Sequence, residues 1–465
     1  MSNPAATSTI PNNPMGYAPI NSLLLKLGIP MMISMLVQAL YNVVDSIFVS
    51  FVSEDALSAV GLAFPAQNLM ISFGVGTAVG VNALLSKSLG EKEFERASRA
   101  AGNGLFLSAV TCAAFVLFGL FGVDAFIGSQ TTDPVIHQYG VEYLTICSVF
   151  SAGLFCQTMC EKLLVATGRS SLAMTSQLVG AVANIVLDPI FIFGLFGVPA
   201  MGAKGAAVAT VIGQFMGGGL SLYLNFAKNK EISINRESLR PNGHIIARIY
   251  QVGAPSIAMQ SIGSVMTFCF NKILMAFSST AVAVFNVYFK LQSFVFMPVF
   301  GLNNAMVPLI SYNYGARKPD RISQTIKTSM IYATAITVVG FLLFQFIPQI
   351  LLSIFNASPD MLALGIPALR LISFSFLLAG HNIICSSTFQ ALGKGMLALW
   401  ASIARQLVVL VPVAWVLAQL GQINLVWLSF PIAEIASLII CQIFLRSCFK
   451  KIIRPLREET VQPEY

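Results

Sequence analysis

Charge is scarce in this 465-residue chain: Asp, Glu, Lys and Arg make up 10% of it, against roughly a quarter in soluble domains. Hydrophobic residues reach 56% and mean hydropathy is +0.77, which excludes an assembly of water-soluble domains. Histidine occurs only three times, as His137, His244 and His381, too far apart for a metal site. The eight cysteines lie mainly inside apolar runs without disulfide or zinc spacing, so they read as small hydrophobes. There is no GxxxxGK[ST] loop, and nothing supports direct drive by ATP. No clustered nucleophile, base or metal set speaks for an intramembrane enzyme. The first 20 residues hold no Lys or Arg and no apolar core of signal length, and read as a short polar tail.

Long apolar runs are what the chain does have. About 20 helical residues cross about 30 Å of hydrocarbon. Twelve spans are expected, at 24–50, 57–84, 101–123, 138–160, 172–195, 203–226, 248–274, 281–308, 326–354, 362–387, 396–420 and 423–446. The loops between them alternate in basic content. One set carries Lys87, Lys92, Arg96 and Arg99, then Lys162 and Arg169, then Lys228, Lys230, Arg236 and Arg240, then Arg317, Lys318 and Arg321, then Lys394, and last Lys450 to Arg457. The other set holds Lys204 and almost nothing else. By the positive-inside bias the first set and both termini are cytoplasmic. The net charge of +8 therefore reports topology and not a nucleic-acid partner.

A shift of 225 positions matches LGIP (27–30) to VGAP (252–255), Gly76 to Gly301, LLSKSLG (84–90) to LISYNYG (309–315), and ATGRSSLAM (166–174) to ALGKGMLAL (391–399). Each half has an even number of spans, so both enter from one side and are related by an axis along the membrane normal. The expected fold is an all-α integral membrane protein of twelve transmembrane helices in two parallel six-helix lobes. Its expected organisation is an N-terminal tail at 1–20, a first lobe at 21–226, a cytoplasmic linker at 227–247, a second lobe at 248–448 and a C-terminal tail at 449–465. A cleft between the lobes would support alternating access.

Four motifs then appear in order: NVVDSIFV (42–49), NIVLDPIFIFG (184–194), GAAVAT (205–210) and GLNNAMVPLISYNYGARKPDR (301–321). Together they resemble the multidrug and toxic compound extrusion (MATE) family, in its DinF-like branch near the MepA-like exporters. The resemblance covers nearly the whole chain. It implies a V of two six-helix lobes in a prokaryotic inner membrane, a monomer with no cofactor, and export of organic cations or amphipaths in exchange for H+ or Na+. The NorM-like branch carries acids in its seventh and tenth spans, where this chain has Lys272 and Arg370, so a cation site of that kind does not transfer.

An ionised carboxylate at the centre of a membrane helix costs roughly 2.5–3.5 kcal/mol on insertion scales, which makes it a functional candidate. Asp45 and Asp188 lead the candidates. Both lie about 8–10 Å below the outer ends of their helices, counted at about 1.5 Å per residue. Gln38 and Asn42 share the face of Asp45, and Asn184 that of Asp188. Two acids at one depth could share a cavity that exchanges protons, or that holds sodium at Asp45, Asp188 and Asn184. Thr210, closing GAAVAT, could add a hydroxyl there or simply bond its own helix. Pro189 predicts a bend beside Asp188, through which protonation or sodium binding would alter the lobe.

The second lobe differs in sign, with Lys272, Lys290, Arg370 and Arg405 against Glu434; the shift places Phe270 and Val413 opposite Asp45 and Asp188. Lys290 or Arg370 is expected to pair with Glu434. These three, with Gln38 and Met35, are the substrate-cavity candidates. Met31, Met32 and Met35 with Phe294, Phe296 and Met297 read either as an adaptable apolar surface or as ordinary packing. A flippase for a lipid-linked saccharide is the alternative on this scaffold, and it would need a cationic cavity for pyrophosphate.

Overall fold

The computed structural model describes residues 13–355 and 357–461. The first twelve residues of the expected N-terminal tail, Asn356, and the last four of the C-terminal tail lie outside the described residues. Every element among those described is helical. Hydrocarbon demands this, because each unpaired backbone N–H or C=O there costs several kcal/mol.

Among the described residues ten helices are long and apolar enough to cross a bilayer, and two bent pairs bring the number to twelve. Spans 1 to 6 are Ile20–Ser50, Glu54–Gly90, Phe94–Phe121, the pair Pro134–Val149 and Ala152–Ala166, Ser170–Phe193, and Ala203–Lys228. Spans 7 to 10 are Gly243–Met275, Ser279–Gly315, Pro319–Phe346, and the pair Pro359–Ser373 and Phe376–Ala391. Gly395–Ala418 and Ile423–Glu459 complete the set as spans 11 and 12. The marked bends are 47° in span 4 and 50° in span 10. The bend expected at Pro189 does not interrupt span 5, which runs on as one helix to Phe193.

The repeat extends to local chemistry. Ser53 and Ser278, 225 apart, cap spans 2 and 8 by accepting from the backbone N–H of Ala56 at 3.0 Å and Ala281 at 3.1 Å. Asp133 and Ser358 cap spans 4 and 10 in the same relation. Ser86 Oγ donates to the Ala166 carbonyl at 2.9 Å, and Ser311 Oγ to the Ala391 carbonyl at 2.8 Å. Positive φ recurs at Gly168 and Gly393, and at Lys92 and Arg317. Equivalent residues thus fold to equivalent local structures.

Spans 1 and 8 pack along each other, as do spans 2 and 7, while spans 2 and 8 meet on the axis. A Cβ at Gly90 would overlap the Tyr312 carbonyl oxygen, and one at Gly315 would overlap the Lys87 carbonyl oxygen. Only glycine permits the two helix ends to touch there. Below this seam, on the face bearing the basic loops, residues Asn13 to Ala18 bridge the lobes. Asn13 donates to the Thr167 carbonyl at 3.2 Å and to Glu231 at 2.7 Å. On the other side, Asn313 and Arg321 both donate to the Met15 carbonyl at 3.0 Å, and Lys318 donates to that of Gly16 at 2.6 Å. Burial pushes the Glu231 carboxyl above its usual range, opposed by the Asn13 hydrogen bond and the Arg169 charge. Seam and bridge together hold the lobes shut on that face.

Candidate transport cavity

Between the lobes lies a cavity of about 640 Å³, a volume that accepts a drug-sized ligand. Met35, Gln38 and Tyr41 of span 1 border it at three-residue steps, so one face of that helix is turned inward. The Gln38 carbonyl oxygen accepts from Gln177 at 3.1 Å. Asn42 is exposed and is not among the lining side chains.

Asn184 of span 5 and Thr210 of span 6 also border the cavity, and the two acids lie behind them. Asp188 is 0% exposed and Asp45 is partly buried. Their carboxyl groups lie beside each other. In the orientation that satisfies both neighbours, the Asn184 amide donates to Asp188 Oδ2 at 3.3 Å and accepts from Thr210 Oγ1 at 3.2 Å. Asp45 Oδ1 is buried with no partner. Two carboxyls hydrogen-bond only when one carries a proton. A cation in place of that proton would meet the two carboxylates as oxygen donors, while the Asn184 carboxamide oxygen is turned to Thr210. The structure therefore gathers Asp45, Asp188, Asn184 and Thr210 into one group.

Sequence reasoning missed Glu161 and Lys162 as cavity residues. Lys162 counted as a loop cation, but both residues lie within the Ala152–Ala166 limb of span 4 and line the cavity. Glu161 Oε1 accepts from Gln157 at 2.9 Å and from Ser176 at 3.3 Å. Lys162 reaches across to the second lobe and donates to Asn304 Oδ1 at 2.6 Å. No cue separated them from loop charges, since they follow directly on an apolar run.

In the second lobe the expected partner of Glu434 was Lys290 or Arg370, and the structure corrects this. Arg405 Nη1 lies 2.8 Å from Glu434 Oε1, and Asn382 donates to Glu434 Oε2 at 2.6 Å. Arg405 belongs to a π-helical stretch, Ala404–Leu410, whose wider turn changes the face a side chain takes. Lys290 is exposed with its Nζ 6.0 Å from the Phe355 ring centre, and exposed Arg370 donates to the Gln345 carbonyl at 3.2 Å. Neither borders the cavity, whereas Glu434, Phe296 and Met297 do. Where the first lobe holds Asp45 the second holds Phe270, fully buried with its ring 4.6 Å from Phe285 and 5.1 Å from Phe430. Aromatic packing has replaced the acid pair. His381 touches Gln442 at 2.6 Å and does not line the cavity.

Removing one partner of a buried ion pair leaves an uncompensated charge. Arg405 is 30% exposed on its side chain, so solvent tempers that penalty. Arg405→Ala is expected to destabilise the protein by about 1–2 kcal/mol, below the range for a dry pair. Thermal unfolding in detergent reads this, and adding Glu434→Gln should recover part of the loss.

The family model MatE matches residues 30–190 and again residues 255–416, starting 225 residues apart. The chain belongs to the MATE family. Each of its two matches falls within one half of the chain. Among curated relatives, it is similar to the multidrug export protein MepA of Staphylococcus haemolyticus strain JCSC1435, at 27% identity over 88% of this chain and 89% of that one. It is also similar to an FAD transporter of Shewanella oneidensis, at 24% identity over 91% and 94%. Among solved structures, the outward-facing conformation of a multidrug resistance MATE family transporter of the MOP superfamily superposes with a TM-score of 0.89. That likeness carries 26% identity and covers 96% of this chain and 98% of the other. This MATE chain is thus a multi-span membrane protein of a transporter family.

Proposed function

We propose that this transporter exports small amphipathic organic compounds, organic cations among them, by alternating access in exchange for protons or sodium ions bound at Asp45 and Asp188. One observation carries the reading: the acid pair joins the cavity wall through Asn184 and Thr210, so ion and cargo sites form one hydrogen-bonded unit. Exchange requires that one ligand change the affinity for the other, and a shared wall supplies the contact. The basic loops support a cytoplasmic position for both termini. The closed seam then lies on the cytoplasmic side of a plasma membrane.

Purified protein in vesicles, loaded with a fluorescent amphipathic cation, tests this. A proton gradient or a sodium gradient imposed across the vesicles is expected to drive the dye; no change under either would count decisively against exchange. A second cargo class has one observation in its favour. Lys162 and Arg405 both border the cavity, and a flavin nucleotide, the cargo in the name of the Shewanella relative, would bring phosphates to them. FAD as a competitor in the same vesicles separates the two. The flippase alternative counted on Lys290 and Arg370 for its cationic cavity, and both stay outside.

A further inference from the structure

A second, smaller pocket of about 170 Å³ lies between the lobes, near the face that bears the basic loops. Span 2 of the first lobe contributes Lys87 to its lining, span 7 of the second contributes Arg248, and the link between spans 10 and 11 contributes Lys394. No Asp or Glu among the described residues borders it. The main cavity, by contrast, sets Glu161 and Glu434 beside Lys162 and Arg405. The Lys87 ammonium stands 4.7 Å from the ring centre of Tyr314, which also borders the pocket. Its acidic neighbour, Glu91 at 3.6 Å, is shared with Arg96 at 3.1 Å. Arg248 and Lys394 are exposed, and neither side chain forms a hydrogen bond or an ion pair with a described residue. Other cations of that face are matched, Arg99 by Glu95 and Glu237, Arg317 by Glu459, and Arg457 by Asp320.

The positive-inside bias accounts for cations on this face. It does not gather three of them, from both lobes, around one concavity without an acid. A cleft lined by a single sign of charge concentrates counter-ions. The three charges act over a Debye length of about 8 Å, so the field does not depend on which way one flexible head group turns. We propose that this pocket binds a phosphate group, carried by an acidic phospholipid or by a soluble phosphate. Arg248 offers the paired N–H fork that phosphate oxygens fit, and Lys87 and Lys394 add point charges. Basic pockets between membrane helices take phospholipid head groups in the same way. A bound phosphate joins span 2 to span 7 beside the seam, since the Lys87 carbonyl is the atom that Gly315 abuts. The site is independent of what the main cavity carries and of the ion that drives it.

The test is equilibrium binding to full-length protein in detergent, with phosphatidylglycerol, phosphatidylcholine of the same chains, and inorganic phosphate as probes. Phosphatidylglycerol or inorganic phosphate is expected to bind saturably, and more tightly than phosphatidylcholine, whose choline opposes the three cations. Arg248→Gln and Lys394→Gln should each weaken that binding about tenfold, as the loss of a charge-assisted hydrogen bond implies. Lys230→Gln removes another exposed cation that does not border the pocket, and should leave binding unchanged. Arg248→Lys keeps the charge and should keep part of the affinity. Displacement of the lipid by inorganic phosphate assigns the site to soluble phosphates, and saturable lipid binding that phosphate does not displace assigns it to a head group. Saturable binding of neither probe, affinity unmoved in both pocket variants, or equal weakening in Lys230→Gln overturns the site.

Discussion

Asp188→Asn is expected to cut ion-driven export by about 5- to 150-fold, the range that a coupling free energy of about 1–3 kcal/mol spans. Asparagine keeps the shape of the side chain and can still bond Asn184, so the helices that Asp188 joins should remain packed. What it loses is the ability to exchange a proton or to contribute a full carboxylate to a cation. Downhill exchange of labelled for unlabelled cargo, which needs no ion step, should continue near the original rate. That split between driven and undriven transport distinguishes a coupling group from a residue that only supports the fold. Asp45→Asn should act in the same direction with a smaller loss, because Asp45 is only partly buried and Asn184, itself bonded to Thr210, contacts Asp188. Driven export at the original rate in Asp188→Asn would remove the acid pair from the mechanism.

Legibility in the sequence followed physical anomaly. A carboxyl in an apolar run stands out because hydrocarbon penalises it, so Asp45 and Asp188 could be found without coordinates. Asn184 and Thr210 were reached through helical spacing and a motif. The repeat was legible because close helix contacts and tight turns demand particular residues, and those at Gly90 and Gly168 recur 225 positions later as Gly315 and Gly393. Glu161 and Lys162 were not legible, since a helix that continues to Ala166 past a 47° break looks, in sequence, like a span followed by a charged loop. The Arg405–Glu434 pair was hidden by a π-helical turn, which breaks the periodicity on which any facing argument depends. Apart from Gln38 and Asn184, the Asn and Gln side chains that border the cavity were hidden for the opposite reason. Neutral Asn and Gln carry no charge signal, and only three dimensions show that so many converge.

The seam supplies the other large effect. Alanine at Gly90 would drive its Cβ into the Tyr312 carbonyl oxygen, and at Gly315 into that of Lys87. These are main-chain atoms of the facing helix, so no rotamer change relieves the overlap, and spans 2 and 8 must part at their basic ends. Overpacking of this kind costs about 1–3 kcal/mol, which shifts the balance between closed and open seams by about 5- to 150-fold. Amide hydrogen exchange should accelerate by factors in that range across residues 86–92 and 311–317. The two variants should respond alike, because the positions are equivalent under the repeat. Helix propensity points the other way, since alanine favours helix over glycine by about 1 kcal/mol. Gly219, in span 6 with nothing near its absent side chain, separates the two effects. Gly219→Ala should leave exchange at the seam unchanged, whereas Gly90→Ala and Gly315→Ala should raise it. Slower or unaltered exchange in those two variants would mean that the contact does not hold the closed arrangement. The Asn13–Ala18 bridge would then carry that role alone, through Asn313, Lys318 and Arg321.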